Sequence, residues 1–311
     1  MPQSPTTSSS AGAYVGRFAP SPTGPLHFGS LLAALASYLD ARAHGGRWLV
    51  RIEDIDPPRE AAGAVANILE CLRAHGLIWD GEVLYQSRRL AAYRDICAHL
   101  VAQRRAFYCT CSRLDLSDSG GIYTGRCRNC AEKPAQAFAI RLRVDATEIV
   151  VDDRIQPAFA ENIARDVGDF VIFRKEDLPA YQLAVVVDDA AQHVTHIVRG
   201  SDLLGSTARQ IFLQRCLQLP TPRYAHIPVI ANTRHQKLSK QTFATALDNA
   251  AARENLLAAL EFLGQPLPSA ADTTPADILE QSVRHWDIAR VPRQRELAGA
   301  TLPTRCRHFA T

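Results

Sequence analysis

Leu31, Leu32, Leu35, Tyr38 and Leu39 recur at helical spacing, and the run stops at Gly45-Gly46. That spacing predicts a helix with one apolar face. The helix is entered from a β-prone run, Tyr14 to Phe18, through a stretch holding Pro20, Pro22, Gly24, Pro25 and Gly29. Arg47 to Ile52 predicts a second strand, which closes on Glu53-Asp54-Ile55-Asp56-Pro57-Pro58. Helical stretches from Glu60 to His75 and from about Ser87 to Arg105 follow. Strand and helix alternating at this interval predict an α/β fold with a parallel, doubly wound sheet.

The alternation breaks near Phe107. Residues 107–135 carry little apolar periodicity and are rich in Cys, Gly, Ser and Asp, as an insertion would be. Strand-like runs follow at Phe138 to Val144, Glu148 to Val151 and Val167 to Phe173. Tyr181 to Val187 and His193 to Val198 predict a return to the main sheet. A helix from about Ser206 to Leu217, a strand around Ile227 to Ile230 and a basic loop come next. Helical segments punctuated by Pro266, Pro268, Pro292 and Pro303 fill much of the rest. The expected division is a tail over 1–12, a first catalytic half over 13–106 and an insertion over 107–135. The inserted subdomain continues over 136–180, the second half spans 181–240, and 241–311 form a helical C-terminal segment.

Composition narrows the class. Hydrophobic residues make up 47% of the chain, enough for a sizeable core. A net charge of +3 neither demands nor excludes nucleic acid. The charge is uneven, however: Arg284 to Arg307 holds six arginines against Asp287 and Glu296. Residues 1–12 are Ser/Thr/Pro-rich with no basic start or apolar core, so they read as a disordered tail rather than a secretory signal. No apolar run approaches the roughly 20 residues of a membrane span. A cytoplasmic protein with reduced thiols is therefore expected, and Cys109-Thr110-Cys111 with Cys127-Arg128-Asn129-Cys130 then reads as a zinc site. Spacing alone selects those four cysteines.

Two loops stand out, although on local pattern alone the first also reads as a Pro-rich turn and the second as an exposed polar loop. A stiff, Pro-rich loop between a strand and a helix N-terminus aims backbone N–H groups at one point, which suits an anion. Far along the chain, the basic loop Arg234-His235-Gln236-Lys237-Leu238-Ser239-Lys240-Gln241 offers mobile ammonium groups.

The residues of both loops resemble the signatures of class I aminoacyl-tRNA synthetases, in the glutamyl/glutaminyl branch. Arg17-Phe18-Ala19-Pro20-Ser21-Pro22-Thr23-Gly24 matches that branch's lead-in, and His27-Phe28-Gly29-Ser30 falls where the class carries His-Ile-Gly-His. Ser30 replaces the second histidine, so His27 alone carries over, with Gly29, as an ATP contact. Lys237-Leu238-Ser239-Lys240 resembles the family's Lys-Met-Ser-Lys loop. The resemblance thus gives His27, Lys237 and Lys240 catalytic roles, with Lys240 as the essential charge opposite departing pyrophosphate.

It also implies a Rossmann-type catalytic domain and a site for a dicarboxylic amino acid. Arg17 and Arg199 could each fork onto a carboxylate, and either could serve either one. Glu53 offers a charge for the α-ammonium, Ser21 and Tyr181 offer hydrogen bonds, and Phe18, Ala19 and Pro20 share the motif. In the short branch of the family the zinc ligands follow Cys-x-Cys and Tyr-x3-Cys. That form implies Cys109, Cys111, Tyr123 and Cys127, with Cys130 competing for the fourth place. The zinc would be structural, and magnesium would accompany ATP.

The stretch after Lys240 is too short for the helical anticodon-binding domains of a full glutamyl-tRNA synthetase. The chain therefore resembles the family's free-standing catalytic core, expected to act as a monomer. That likeness implies activation of glutamate without tRNA, then transfer to the queuosine base in the anticodon loop of aspartate tRNA. The alternatives are ordinary charging of glutamate tRNA at its 3′ end and a non-catalytic, zinc-bearing RNA-binding module.

Overall fold

The computed structural model describes residues 13–112, 115, 122–130, 132–231, 245–268 and 274–310. The tail and the Lys237 to Lys240 loop lie outside them. Strand β1 (Val15–Phe18), helix α1 (Phe28–Ala43), strand β2 (Arg47–Ile52), helix α2 (Ala64–Ala74), strand β3 (Leu84–Tyr85) and helix α3 (Leu90–Ala102) form the first half. β2 lies between β1 and β3, parallel to both, with Val15 opposite Arg47 and Ile52 opposite Tyr85.

A sheet of this kind is covered on both faces, and the side-chain alternation of β2 divides the core accordingly. Trp48, Val50 and Ile52 point into an apolar cluster with Leu31, Leu35 and Phe262, whereas Leu49 points into a second with Leu183 and Ile211. Arg51 shares the face of Leu49 and is fully buried, and this placement governs the electrostatics below.

Five strands and a short helix follow: β4 (Ala106–Cys109), β5 (Ala139–Leu142), β6 (Glu148–Val151), β7 (Phe159–Asn162), α4 (Ile163–Asp166) and β8 (Val171–Phe173). β5 lies antiparallel between β4 and β8, and β6 pairs antiparallel with β7. The parallel architecture then resumes with helix α5 (Tyr181–Ala191), strand β9 (His196–Gly200), helix α6 (Leu204–Cys216) and strands β10 (Arg223–Ile227) and β11 (Val229–Ala231). β9 runs parallel to β10. It meets the first half where the Thr195 N–H donates to the Val15 carbonyl at 2.9 Å. Helices α7 (Ala252–Phe262) and α8 (Pro275–His285) and strand β12 (Glu296–Ala298) complete the chain. Thr274 caps α8, sharing a capping box with Asp277.

Four expectations are corrected. Tyr181 to Val187 is the first part of a helix, not a strand. A continuous apolar run rich in valine fits a strand or a helix buried all round, and here Gln182 to Asp189 are all buried. β9 starts later than expected, because His193 adopts φ +55° and closes α5 through its N–H to the Ala190 carbonyl. The strand expected over Val167 to Phe173 is confined to β8, since Gly168 turns the chain at φ +73°. The C-terminal segment also contributes β12, which runs parallel to β11. Among the described residues, no helix is long and apolar enough to cross a membrane.

Candidate active site

A cavity of about 780 Å³ opens at the carboxyl ends of β1, β2, β9 and β10, beside the N-termini of α1 and α5. In open parallel sheets this end is where ligands bind. Arg17 and Phe18 line it from the end of β1, Ala19, Pro20 and Ser21 from the turn after it, and His27, Gly29 and Ser30 from the start of α1. Glu53, Tyr181 and Arg199 complete the wall. Arg17 and Arg199, 182 positions apart in the sequence, thus face one space.

The turn after β1 is pinned from below: the Glu53 N–H donates to the Pro20 carbonyl at 3.0 Å. His27 is the N-cap residue of α1 in extended backbone. A Cβ added to Gly29 would sit 3.1 Å from the His27 ring, so glycine here leaves that ring its place.

Beneath the cavity floor lies a network of buried charge. Arg51 donates to Asp189 at 2.7 Å and to Gln192 at 3.0 Å, and reaches Glu53 at 3.5 Å. Arg17 donates to the same Asp189 oxygen through Nε at 3.3 Å. Burial alone would raise the Asp189 carboxyl, but Arg51 and Arg17 more than offset it and hold the group below its ordinary range. For Glu53 burial prevails over the same two arginines, with Asp189 adding repulsion, and its carboxyl is pushed up. The neighbouring Asp188 is fully buried and accepts from Gln86, Arg89 and Tyr93 at 2.6–2.8 Å.

On the opposite wall, Arg199 and His226 sit directly across from one another in the parallel register of β9 and β10. Arg199 donates through Nε to His226 Nε2 at 2.9 Å and through Nη2 to Thr207 Oγ1 at 2.9 Å. Its Nη1 is buried with no hydrogen-bond partner among the described residues. Asp153, brought beside β10 through its pairing with Tyr224, holds His226 Nδ1 at 2.5 Å.

A second cluster lies apart from this cavity. The sulfurs of Cys109, Cys111 and Cys127 all lie within 4.8 Å of one another. The Tyr123 hydroxyl is 3.6 Å from Cys109 Sγ and 3.9 Å from Cys111 Sγ, and it accepts the Cys127 N–H at 2.6 Å. Gly168 closes the back of this turn, for a Cβ there would come within 3.1 Å of Tyr123 N. Cys130 is exposed and lies outside the three-sulfur group. The donors suit a soft divalent ion: three thiols and a phenol converge, with the Arg141 guanidinium 3.4 Å from Cys109 Sγ to balance thiolate charge. Burial raises the Cys127 thiol, but hydrogen bonds from Tyr123 and the neighbouring groups bring it down to about 6.

The structure therefore brings together, in one cavity, each proposed amino-acid and ATP contact that it describes, and separately brings Tyr123 to the three cysteines. Lys237 and Lys240 are not described. Sequence reasoning missed Arg51, Asp153, Asp189 and His226. For Asp189 a signal existed, a pair of acids closing an apolar run, since such acids need buried cations if the run is buried.

Residues 14–269 match the family described as tRNA synthetases class I (E and Q), catalytic domain. The chain is 53% identical over 290 residues to the glutamyl-Q tRNA(Asp) synthetase of Neisseria meningitidis serogroup B, covering 90% of this chain and 98% of that one. It is 52% identical over 291 residues to the glutamyl-Q tRNA(Asp) synthetase of Ectopseudomonas mendocina, covering 93% and 99%. Among solved structures, a glutamate tRNA ligase from Elizabethkingia meningosepticum in complex with its amino acid superposes with a TM-score of 0.76. That ligase is 24% identical, and the likeness covers 91% of this chain and 66% of the ligase.

Proposed function

The chain belongs to the class I tRNA synthetases of the glutamyl and glutaminyl type, and on that premise we propose that it carries the glutamyl-Q tRNA(Asp) synthetase activity for which its curated relatives are named. It is an enzyme of the ligase type. In the first step a glutamate carboxylate oxygen attacks the α-phosphorus of ATP, pyrophosphate leaves, and glutamyl-adenylate forms without tRNA. In the second, a hydroxyl of the queuosine ring in the anticodon loop of aspartate tRNA attacks the adenylate carbonyl and AMP leaves.

The observation that carries this reading is the single cavity lined by Arg17, Ser21, His27, Glu53, Tyr181 and Arg199. Arg17 and Arg199 take the two carboxylates, Glu53 the α-ammonium, and Ser21 and Tyr181 supply hydrogen bonds beside Phe18, Ala19 and Pro20. His27 and Gly29 meet ATP at the N-terminus of α1, where the helix dipole favours phosphate. Magnesium accompanies ATP and supplies further positive charge at the phosphates. Lys237 and Lys240 neutralise the charge that grows on pyrophosphate. Lys240→Ala is expected to lower glutamate-dependent ATP–pyrophosphate exchange by about 10²-fold, the scale for losing one preorganised charge. Near wild-type exchange in this variant would remove Lys240 from the chemistry. A wild-type protein with no exchange at all would favour a non-catalytic RNA-binding module.

Cys109, Cys111, Tyr123 and Cys127 would hold one zinc per chain as a closed, structural site, with no open position for chemistry. Tyr123→Phe is expected to loosen the metal and Cys130→Ser to leave it bound, measured by metal content after mild chelation. The reverse pattern would give the fourth place to Cys130. The enzyme works as a cytoplasmic monomer, and the Arg284 to Arg307 stretch offers phosphate contacts to the tRNA.

A further inference from the structure

Arg199 is the only proposed carboxylate contact whose orientation depends on a buried histidine. An arginine side chain only donates, so the 2.9 Å contact from Arg199 Nε requires a lone pair on His226 Nε2. A neutral imidazole with that lone pair carries its proton on Nδ1, where the Asp153 carboxylate accepts it at 2.5 Å. Asp153 is itself fixed, because its other oxygen accepts the backbone N–H groups of Ile155, Gln156 and His226 at 2.8–3.1 Å. His226 is fully buried. On the far side of the guanidinium, Thr207 Oγ1 and the Leu203 carbonyl occupy Nη2 at 2.9 and 3.3 Å. The Nε and Nη2 positions are thereby satisfied by protein, and Nη1 alone has no partner among the described residues.

We propose that Asp153 and His226 are positioning residues for glutamate recognition: Asp153 sets the His226 tautomer, His226 holds Nε of Arg199, and Arg199 meets a substrate carboxylate through Nη1 alone. This rests on the reading above that Arg199 binds glutamate. It replaces the expected two-pronged fork at this arginine with a single contact, and leaves Arg17, which among the described residues donates to protein side chains through Nε only, to offer both of its Nη atoms.

The arrangement makes an asymmetric prediction. In Asp153→Asn the amide N–H₂ can face Nδ1 and shift the ring proton to Nε2, so that two donors oppose each other at Arg199. The variant keeps shape and volume, so its effect falls on Arg199 rather than on packing. His226→Gln keeps an acceptor near the Nε2 position, and His226→Leu removes it. In tRNA-free ATP–pyrophosphate exchange, Asp153→Asn and His226→Leu should raise the KM for glutamate about ten- to a hundredfold. That is the scale by which losing an outer hydrogen bond weakens a metal site built on histidine. The KM for ATP should stay near wild type, and His226→Gln should recover most of the glutamate KM. Nitrogen-15 NMR of the wild-type protein should show His226 with Nε2 unprotonated, a readout independent of activity and of any variant's folding. Glutamate KM values within twofold of wild type in both disruptive variants, or a proton found on Nε2, would overturn the assignment. Absence of exchange in the wild-type protein would instead overturn the functional reading beneath it.

Discussion

Replacing Arg51 by leucine should destabilise the folded protein by about 3–5 kcal/mol, the cost of stranding buried charge after removal of its partner. Arg51 is fully buried between Asp189 and Glu53, and Arg17 is the remaining cation close to both. The loss should depend on pH with a definite sign. Asp189 has a depressed pKa in the folded protein, so it contributes stability above its unfolded pKa and loses it as pH falls through the folded value. Without Arg51 that depression weakens, since only Arg17 and the more distant Arg199 still oppose burial, and both carboxyls take up protons more readily while folded. The stability gap between wild type and Arg51→Leu should therefore narrow below about pH 5, where unfolded carboxylates also begin to protonate. Urea midpoints at about pH 4 and pH 8 measure it. An equal gap at both values would mean that Arg51 contributes through packing and not through charge.

Glutamine should be rejected by a factor of roughly 10² to 10³ or more in the activation step. Arg17 and Arg199 are each only 3% exposed, so water cannot replace a missing carboxylate oxygen. A buried guanidinium left short of its charge partner costs about 3–5 kcal/mol. The penalty falls on whichever arginine faces the side chain, since a guanidinium only donates and the amide N–H₂ of glutamine is another donor. Aspartate keeps both charges but is one methylene shorter and cannot reach both arginines together. The ratio of kcat/KM for glutamate to that for glutamine in ATP–pyrophosphate exchange is the measurement. Comparable values would remove one of the two arginines from the site.

The parallel part of this fold is legible in the sequence because its signals are local. Arg47 to Ile52 is bounded by glycine and proline, and the residues of α1 repeat with helical period. Helix α5 was not legible, since Tyr181 to Val187 is almost wholly apolar and a helix buried all round leaves no polar stripe. The side chains lining the cavity were recognisable because they sit in short motifs with fixed order. Their supports were not: Arg51 and Asp189 lie 138 positions apart, and Asp153 and His226 lie 73 apart. Nothing in local periodicity marks such pairs. Only the folded sheet, with Arg199 opposite His226, makes the partnership visible.

The central claim is that glutamate goes to queuosine and not to the tRNA 3′ end. It is tested most directly with aspartate tRNA whose terminal diol has been destroyed by periodate under conditions that spare the queuosine diol. The account predicts that this tRNA still accepts labelled glutamate, and that queuosine-free aspartate tRNA accepts none. Loss of acceptance with the 3′ diol, or normal acceptance without queuosine, would contradict it and favour ordinary charging of a 3′ end.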